Sequence, residues 1–201
     1  MYIARILYPV KVLGPGDRIG IWFDGCPHHC DGCSNPELWD FKDMYKTSAE
    51  VVVKFISRIA AANPVDGFTL TGGDHFFQPK ALYELLPQLN KINKDIICYT
   101  GFDKEQIEEK HKDLTEQIAV LIDGRYIKEK NNGVILRGSD NQRVILYRKE
   151  YKDVYDKYLA KDRNEIQNFN TRGTIISVGI HDRDYDERLK IIADRKGLRE
   201  I

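Results

Sequence analysis

The sequence lacks an excess of charge of either sign, a long apolar run and a large number of cysteines. Its 201 residues carry 31 Lys and Arg against 31 Asp and Glu, so the formal net charge is zero. Nucleic-acid-binding proteins normally show a basic excess or stripe, and no nucleic-acid partner is therefore expected. No stretch approaches the ~20 apolar residues of a membrane-spanning helix. Residues 1–18 carry charges and no cleavage site typical of a secretory signal. We expect a cytoplasmic protein without a membrane partner.

Only four cysteines are present, and three of them lie within eight positions. Cys26, Cys30 and Cys33 fall in the stretch GCPHHCDGCSNPELW, whereas Cys98 stands alone in an apolar run and is interpreted as core. Disulfides are rare in the reducing cytoplasm, so metal or redox chemistry explains the three clustered thiols better. Thiolates favour zinc or iron–sulfur centres. Zinc would need a fourth ligand from a histidine or from Cys98, whereas a four-iron cluster held by three thiolates leaves one iron open to a chelating ligand.

Apolar runs alternate with helical patterns along the first two-thirds of the chain. The runs at 18–24, 67–73, 95–101 and 117–124 predict buried strands, and the segments 48–62, 80–93 and 103–113 between them predict helices. This alternation indicates βα units and a mainly parallel sheet covered by helices. Four to six such units are fewer than the eight of a full barrel. The predicted fold class is α/β, as a partial, open (β/α) barrel or an open sheet with its site at the carboxyl ends of the strands.

The alternation weakens after the fourth of these runs. Residues 125–147 predict short strands around an Asn-Asn-Gly turn, and 160–172 predict a linker. The remaining elements predicted are a helix over 148–161, a strand over 173–180 and a helix over 184–197 closed by Gly197. We expect residues 1–147 to form one domain and residues 148–201 to form a short α/β C-terminal extension packed on that same domain.

The spacing Cys-x3-Cys-x2-Cys after a strand resembles the motif of the radical S-adenosylmethionine enzymes. Further stretches occur in the order and spacing of the glycyl radical enzyme activases that serve anaerobic ribonucleoside-triphosphate reductase. They are YPVKVLGPGDR, GCPHHCDGCSNPELW, LTGGD, CYTGF, LIDGRYI and RGSDNQ, and the resemblance covers roughly residues 8–147. It implies that the open barrel is of the radical S-adenosylmethionine type.

The resemblance implies an oxidoreductase with two cofactors, a [4Fe–4S] cluster and S-adenosylmethionine. Cys26, Cys30 and Cys33 would ligate the cluster, and no catalytic residue beyond the cluster is expected. Reductive cleavage of S-adenosylmethionine would give methionine and a 5′-deoxyadenosyl radical, which would remove a hydrogen atom from a glycine of the reductase. The expected partners are the large glycyl radical subunit of anaerobic ribonucleotide reductase and an electron donor such as flavodoxin or ferredoxin.

The cofactor contacts that follow from this resemblance lie in the cysteine loop and at strand ends. They are Gly32, Cys33, Ser34, Gly72, Gly73, Asp74 and Thr100. Gly72 and Gly73 lack a Cβ and let the backbone approach a ligand closely. Asp74 offers a carboxylate to the ammonium group of the cofactor. Taken alone, the stretch TGGD is more typical of an ordinary strand-to-helix turn with an aspartate cap, and the cysteine loop is what favours a cofactor contact.

Two other functions stay open at this point. The same radical chemistry could act on a different protein or on a small molecule, and the three cysteines with a histidine could form a zinc-binding interaction module without catalysis. His28 and His29 are either plain loop residues near the cluster, or His28 tunes the potential of the cluster by hydrogen bonding. The polar set that we hypothesise to position the partner or the cofactor is Arg137, Ser139, Asn141 and Gln142.

Overall fold

Six strands form the central sheet of the computed structural model, which describes residues 1–171 and 174–196. These strands are β1 (Ile3–Val10), β2 (Arg18–Phe23), β3 (Gly67–Gly72), β4 (Ile96–Tyr99), β5 (Val120–Asp123) and β6 (Arg143–Leu146). The helices are α1 (Ala49–Ala62), α2 (Pro79–Leu89), α3 (Lys104–Thr115), α4 (Lys152–Leu159) and α5 (Tyr185–Lys196). A separate hairpin consists of β7 (Ile166–Thr171) and β8 (Thr174–Gly179). Gly197 lies outside the described residues.

The spatial order of the sheet is β1-β2-β3-β4-β5-β6. Strands β2 to β5 are parallel, while β1 pairs antiparallel with β2 and β6 pairs antiparallel with β5. The α/β prediction with a mainly parallel sheet is confirmed. Helices α1, α2 and α3 connect the parallel strands, as parallel neighbours require crossover connections.

Both faces of the sheet are covered, which explains why β2 and β5 are buried along their whole length. Alternate strand residues such as Ile21, Leu70 and Cys98 pack on the side of α1 to α3. The intervening residues, such as Trp22 and Ile97, face the opposite side. Cys98 is thus a core residue, in agreement with its interpretation from the sequence.

The C-terminal part of the chain covers the second face of the sheet. Tyr155 and Tyr158 of α4 pack against Ile97 of β4 and the apolar residues of β5, so these tyrosines belong to the core. Val178 of β8 is buried against Trp22. The described helices include none with the length and hydropathy that a membrane span needs.

Two predictions about the connecting segments are wrong. Within 125–147 only Arg143–Leu146 forms a strand, so no hairpin surrounds the Asn-Asn-Gly turn. The segment 160–172 is not a simple linker, because Ile166–Thr171 is a strand paired with β8. The sequence analysis also did not predict β1, which contains Arg5 and Pro9 and is only half-buried along most of its length.

A buried ion pair closes the amino end of the parallel strands. Arg18, the first residue of β2, is fully buried and donates to the Asp95 carboxylate at 2.9 Å and to Thr69 Oγ1 at 2.8 Å. The Tyr155 hydroxyl of α4 donates to the same carboxylate at 2.5 Å. Arg18 also donates to the carbonyl oxygen of Pro15 at 3.1 Å. The stretch GPGDR therefore has a structural role at the end of the sheet opposite the cysteine loop.

Candidate iron–sulfur and cofactor site

The cysteine loop leaves the carboxyl end of β2, where sites of parallel α/β proteins are found. Its start is fixed by backbone hydrogen bonds from Gly25 N to Leu38 O at 2.9 Å and from Cys26 N to Trp39 O at 2.7 Å. Cys33 N donates to Cys30 O at 3.1 Å, which closes a tight turn between these two cysteines. The loop thus has a defined backbone that presents three thiols at one end of the sheet.

The three thiols of the loop are free and partly buried. Burial raises the pKa of Cys26 to about 11, and it also raises the pKa of Cys33. Asn35 N donates to Cys33 Sγ at 3.4 Å, the kind of contact that stabilises a ligating sulfur. Because metal ligation requires thiolates, a bound cation would compensate for the cost of ionising these buried thiols.

The donor set of the loop fits a cluster of several metal atoms. The loop offers three free cysteine thiols within eight positions, and thiolates are ligands of iron–sulfur clusters. A single zinc ion needs its ligands to converge on one point, whereas a [4Fe–4S] cluster takes one thiolate on each ligated iron. Three thiols on one loop suit the second requirement.

The carboxylate of Asp74, which follows β3, is at the centre of a buried hydrogen-bond network. Asp74 is 2% exposed. Its Oδ2 accepts from His28 Nε2 at 2.9 Å, from Thr100 Oγ1 at 2.8 Å and from Gly101 N at 2.9 Å, and its Oδ1 accepts from Phe76 N at 3.0 Å. This carboxylate joins the cysteine loop to the ends of β3 and β4.

The network keeps Asp74 ionised. Burial by itself raises the pKa of this carboxyl group, but the hydrogen bond from His28, the neighbouring His75 and the Gly101 N–H hold the pKa below its ordinary value. Since protein groups already bind both oxygens, the most direct effect of Asp74 is to fix the position of His28. Its expected contact with the ammonium group of a cofactor stays a prediction.

The diglycine after β3 packs against the backbone at the start of the cysteine loop. Gly73 N donates to Phe23 O at 2.8 Å, and Asp74 N donates to Gly25 O at 2.9 Å. A Cβ on Gly73 would lie 2.5 Å from Gly25 O, and Gly72 has a positive φ of 90°. The close approach that these glycines allow is therefore an approach to the cysteine loop, and their contact with a cofactor stays a prediction.

A narrow cavity of about 170 Å³ lies beside Cys33, on the face of the sheet opposite α1 to α3. Cys33 and Ser34 line it together with Trp22, Thr71 and Tyr99 from the ends of β2, β3 and β4. The structure thus brings two of the predicted cofactor contacts to one pocket. Gly32 has a positive φ of 68°, and a Cβ at this position would lie 3.1 Å from Lys128 Cδ. The backbone of the turn therefore accounts for a glycine at position 32.

Thr100 and Asp74 lie near His28, away from the cavity beside Cys33. There, His28 and Gly101 line a second cavity of about 410 Å³, together with Asp123 and Arg125. Asp74 and Thr100 themselves are buried behind these residues and do not line this cavity, so Cys33 and Ser34 are the two predicted cofactor contacts that line one of these two cavities.

The stretch RGSDNQ forms a wall next to the narrow cavity. Gln142 Oε1 accepts from Gly138 N at 2.8 Å and from Ser139 N at 3.2 Å, while Gln142 Nε2 donates to Gly124 O at 2.8 Å. Ser139 Oγ accepts from Ile127 N at 3.1 Å. These hydrogen bonds from side chains to the backbone hold the segment in place of strand pairing. The proposed role of Arg137, Ser139, Asn141 and Gln142 in positioning a partner or cofactor stays a prediction.

Sequence reasoning missed the two aromatic contacts that hold the histidines of the loop. The His28 ring lies at 4.5 Å from the Phe102 ring, and the His29 ring stacks on Trp39 at 4.9 Å with an interplanar angle of 8°. His29 also has a positive φ of 46°. The adjacent histidines in a loop rich in glycine and proline were the only signal available in the sequence.

Comparison with known proteins gives consistent similarities. A family model described as a 4Fe-4S single cluster domain matches residues 12–145, which include the whole cysteine loop. A protein of Enterobacteria phage T4 is 33% identical over 144 residues, which cover 69% of this chain and 90% of the relative. A protein of Vibrio cholerae is 32% identical over 143 residues, covering 67% and 92%, and one of Escherichia coli K12 is 29% identical over 147 residues, covering 68% and 94%. All three are named anaerobic ribonucleoside-triphosphate reductase-activating protein.

Proposed function

The chain belongs to the family of anaerobic ribonucleoside-triphosphate reductase-activating proteins with a 4Fe-4S single cluster domain, and from this premise we propose that it is a radical S-adenosylmethionine enzyme. In this proposal it cleaves S-adenosylmethionine reductively and generates a glycyl radical on anaerobic ribonucleotide reductase. The observation that supports it most is the loop of three free thiols at the carboxyl end of a mostly parallel sheet.

Cys26, Cys30 and Cys33 would hold the [4Fe–4S] cluster, with one iron left for the amine and carboxylate of S-adenosylmethionine. When bound, the two cofactors supply a 5′-deoxyadenosyl radical, formed with methionine when one electron from the reduced cluster breaks the bond between sulfur and the ribose carbon. The chain has no further thiol near the loop, because Cys98 is buried on the other face of the sheet. In this proposal the fourth iron would therefore have no cysteine ligand from this chain.

The residues around the loop orient the cofactors and exclude water. Asp74 binds the His28 side chain, and the diglycine fixes the backbone on which the cysteines begin. Trp22, which is 4% exposed, and the ring of Tyr99 give the narrow cavity apolar walls. Apolar side chains on these walls would limit the access of water to a reactive radical formed there.

The partners follow from the same proposal. The large glycyl radical subunit of anaerobic ribonucleotide reductase would supply the glycine, and a donor such as flavodoxin or ferredoxin would supply the electron. The cytoplasm, where thiols stay reduced, is the location that suits three free cysteines.

Anaerobic reconstitution with iron and sulfide tests the proposal. We expect about four iron atoms per chain, and, after reduction with dithionite, conversion of S-adenosylmethionine to 5′-deoxyadenosine and methionine. Stoichiometric zinc binding without cleavage would contradict it and favour the interaction module. A glycyl radical signal by electron paramagnetic resonance after addition of the large reductase subunit distinguishes this substrate from other substrates.

A further inference from the structure

The side chain of Trp39 lies beside the cysteine loop and carries a polar group that the proposed function does not use. Its indole Nε1 is buried and has no hydrogen-bond partner among the described residues. A buried indole N–H usually has an acceptor, because an unpaired buried donor is costly. The N–H of Trp39 is therefore a donor whose acceptor has to be identified.

Both the backbone and the ring of Trp39 are fixed against the loop. Trp39 O accepts from Cys26 N at 2.7 Å, and Trp39 N donates to Pro36 O at 3.3 Å. The His29 ring stacks on the indole with 4.9 Å between the ring centroids and an interplanar angle of 8°. This stacking limits rotation of the indole plane, so the N–H has a defined direction.

The indole N–H of Trp39 lies next to the sulfur of Cys33. Burial raises the pKa of the Cys33 thiol, whereas the N–H groups of Asn35 and Trp39 act in the opposite direction because they stabilise a negative charge on the sulfur. Asn35 N donates to Cys33 Sγ at 3.4 Å. The Trp39 N–H interacts with the same sulfur without completing a hydrogen bond to it.

This incomplete contact becomes stronger when Cys33 is ionised. A thiol is a weak acceptor, and hydrogen bonds to an ionised acceptor are shorter and stronger than those to a neutral one. Ligation of iron requires the thiolate form of a cysteine. One further electron adds negative charge to a cluster and its sulfur ligands, so a donor at a ligand sulfur stabilises the reduced form more than the oxidised form.

We propose that the indole N–H of Trp39 donates to Cys33 Sγ in the assembled protein and thereby raises the reduction potential of the [4Fe–4S] cluster. This inference rests on the proposed function, since it takes Cys33 as a ligand of the cluster. Trp39 acts through Cys33 and is a positioning residue, which controls how readily the cluster accepts the electron from its donor.

Trp39→Phe tests the proposal because it removes the N–H and keeps an aromatic ring beside His29. The measurement is a redox titration of the reconstituted protein, without S-adenosylmethionine, followed by the electron paramagnetic resonance of the reduced cluster. At a fixed solution potential we expect the ratio of reduced to oxidised cluster to fall about tenfold. For a one-electron couple this fall corresponds to a potential lower by about 59 mV.

Tyr83→Phe is the matched control, since it also removes one donor from an aromatic side chain. The Tyr83 hydroxyl donates to Asp113 at 2.9 Å on the side of the sheet that carries α2 and α3, and this variant should keep the wild-type potential. Equal potentials in Trp39→Phe and Tyr83→Phe would overturn the inference, and so would a higher potential in Trp39→Phe.

Iron analysis of the same samples separates the inference from the proposed function. A Trp39→Phe protein that assembles no cluster would overturn the inference, because Trp39 would then support the loop and not its potential. A wild-type protein that assembles no cluster would instead contradict the proposed function.

Ultraviolet resonance Raman spectroscopy of Trp22→Phe provides a second measurement, because Trp39 is then the one tryptophan of the chain. We expect the band that reports hydrogen bonding of the indole N–H to indicate a stronger bond after cluster assembly than in the metal-free protein. Reduction of the cluster should strengthen the bond further. An unchanged band would overturn the inference even if the potential of Trp39→Phe were lower, since ring packing would then be the cause.

Discussion

Two buried carboxylates at opposite ends of the sheet are bound in different ways. At the amino end, Asp95 is bound by the permanently charged Arg18 and by the Tyr155 hydroxyl. At the carboxyl end, Asp74 is bound by the His28 imidazole, a hydroxyl group and backbone N–H groups. The first arrangement closes the sheet, and the second holds a loop that carries three free thiols.

This difference indicates that the amino end of the sheet contributes to stability and the carboxyl end to chemistry. A buried carboxylate bound to arginine depends strongly on its partner, because removal of one charge leaves the other uncompensated. A carboxylate bound to an imidazole and backbone N–H groups fixes the geometry of those groups without burying a second permanent charge. We therefore expect variants at the amino end to change unfolding, and variants at the carboxyl end to change activity.

The largest effect is expected for Cys30→Ala at the carboxyl end. Removal of one of three thiolates should abolish assembly of a stable [4Fe–4S] cluster and, with it, cleavage of S-adenosylmethionine, while the fold of the metal-free protein remains. Iron analysis and the 5′-deoxyadenosine assay after reconstitution measure this. Cys98→Ala is the control, since Cys98 is a core residue, and it should keep its iron and its activity. Full activity of Cys30→Ala would contradict the assigned ligand set.

At the amino end, Arg18→Met should lower the free energy of unfolding by about 3–5 kcal/mol, because Asp95 would be left buried without its cation. Urea denaturation of the metal-free protein measures the loss. The double variant Arg18→Met with Asp95→Leu should recover most of it, as apolar replacement of a whole buried ion pair is often close to neutral. A cost below about 1 kcal/mol, as for an exposed pair, would show that this ion pair does not stabilise the sheet.

A smaller effect on unfolding is expected from His75, next to Asp74. His75 is fully buried, its ring nitrogens have no hydrogen-bond partner among the described residues, and burial lowers its pKa from 6.5 to about 4. Between pH 4 and pH 6.5 the unfolded chain binds more protons than the folded chain. The contribution of neutral His75 to the free energy of unfolding is therefore complete above pH 6.5 and is lost as the pH decreases towards 4. The loss should reach about 3 kcal/mol.

Urea denaturation of the metal-free protein at several pH values measures this dependence. His75→Phe, which cannot be protonated, should remove this contribution, whereas replacement of the partly exposed His111 by Asn should leave it in place. An identical pH dependence of wild type and His75→Phe would show that His75 is not its source.

The sequence predicts the strands of the sheet best where burial on both faces produces continuous apolar runs, as in β2 and β5. It does not reveal β1, which contains a proline and is only half-buried along most of its length, or β7, whose charged flanking residues resemble a linker. The segment 125–142 is shaped by side-chain bonds to the backbone, such as those of Gln142, and no periodicity marks such a structure.

The cysteine motif of the candidate site is visible in the sequence because its three thiols are close along the chain. The contact of His28 with Asp74 joins residues 46 positions apart and follows only from the meeting of two strand ends. Ile180 lines the same cavity as Cys33, and these two residues are even farther apart along the sequence. Long-range contacts of this kind depend on the topology and are therefore recognised only in the folded chain.

The difference between the two ends of the sheet is the central claim, and the rate of S-adenosylmethionine cleavage per assembled cluster in two conservative variants tests it most directly. Asp74→Asn should lower the rate about 10–100-fold, as expected when a partner of a ligand-bearing loop is changed. Tyr155→Phe, which removes one hydrogen bond to Asp95, should keep the wild-type rate and lose only about 1 kcal/mol of unfolding free energy. A wild-type rate for Asp74→Asn, or an equal loss of rate in both variants, would contradict the account.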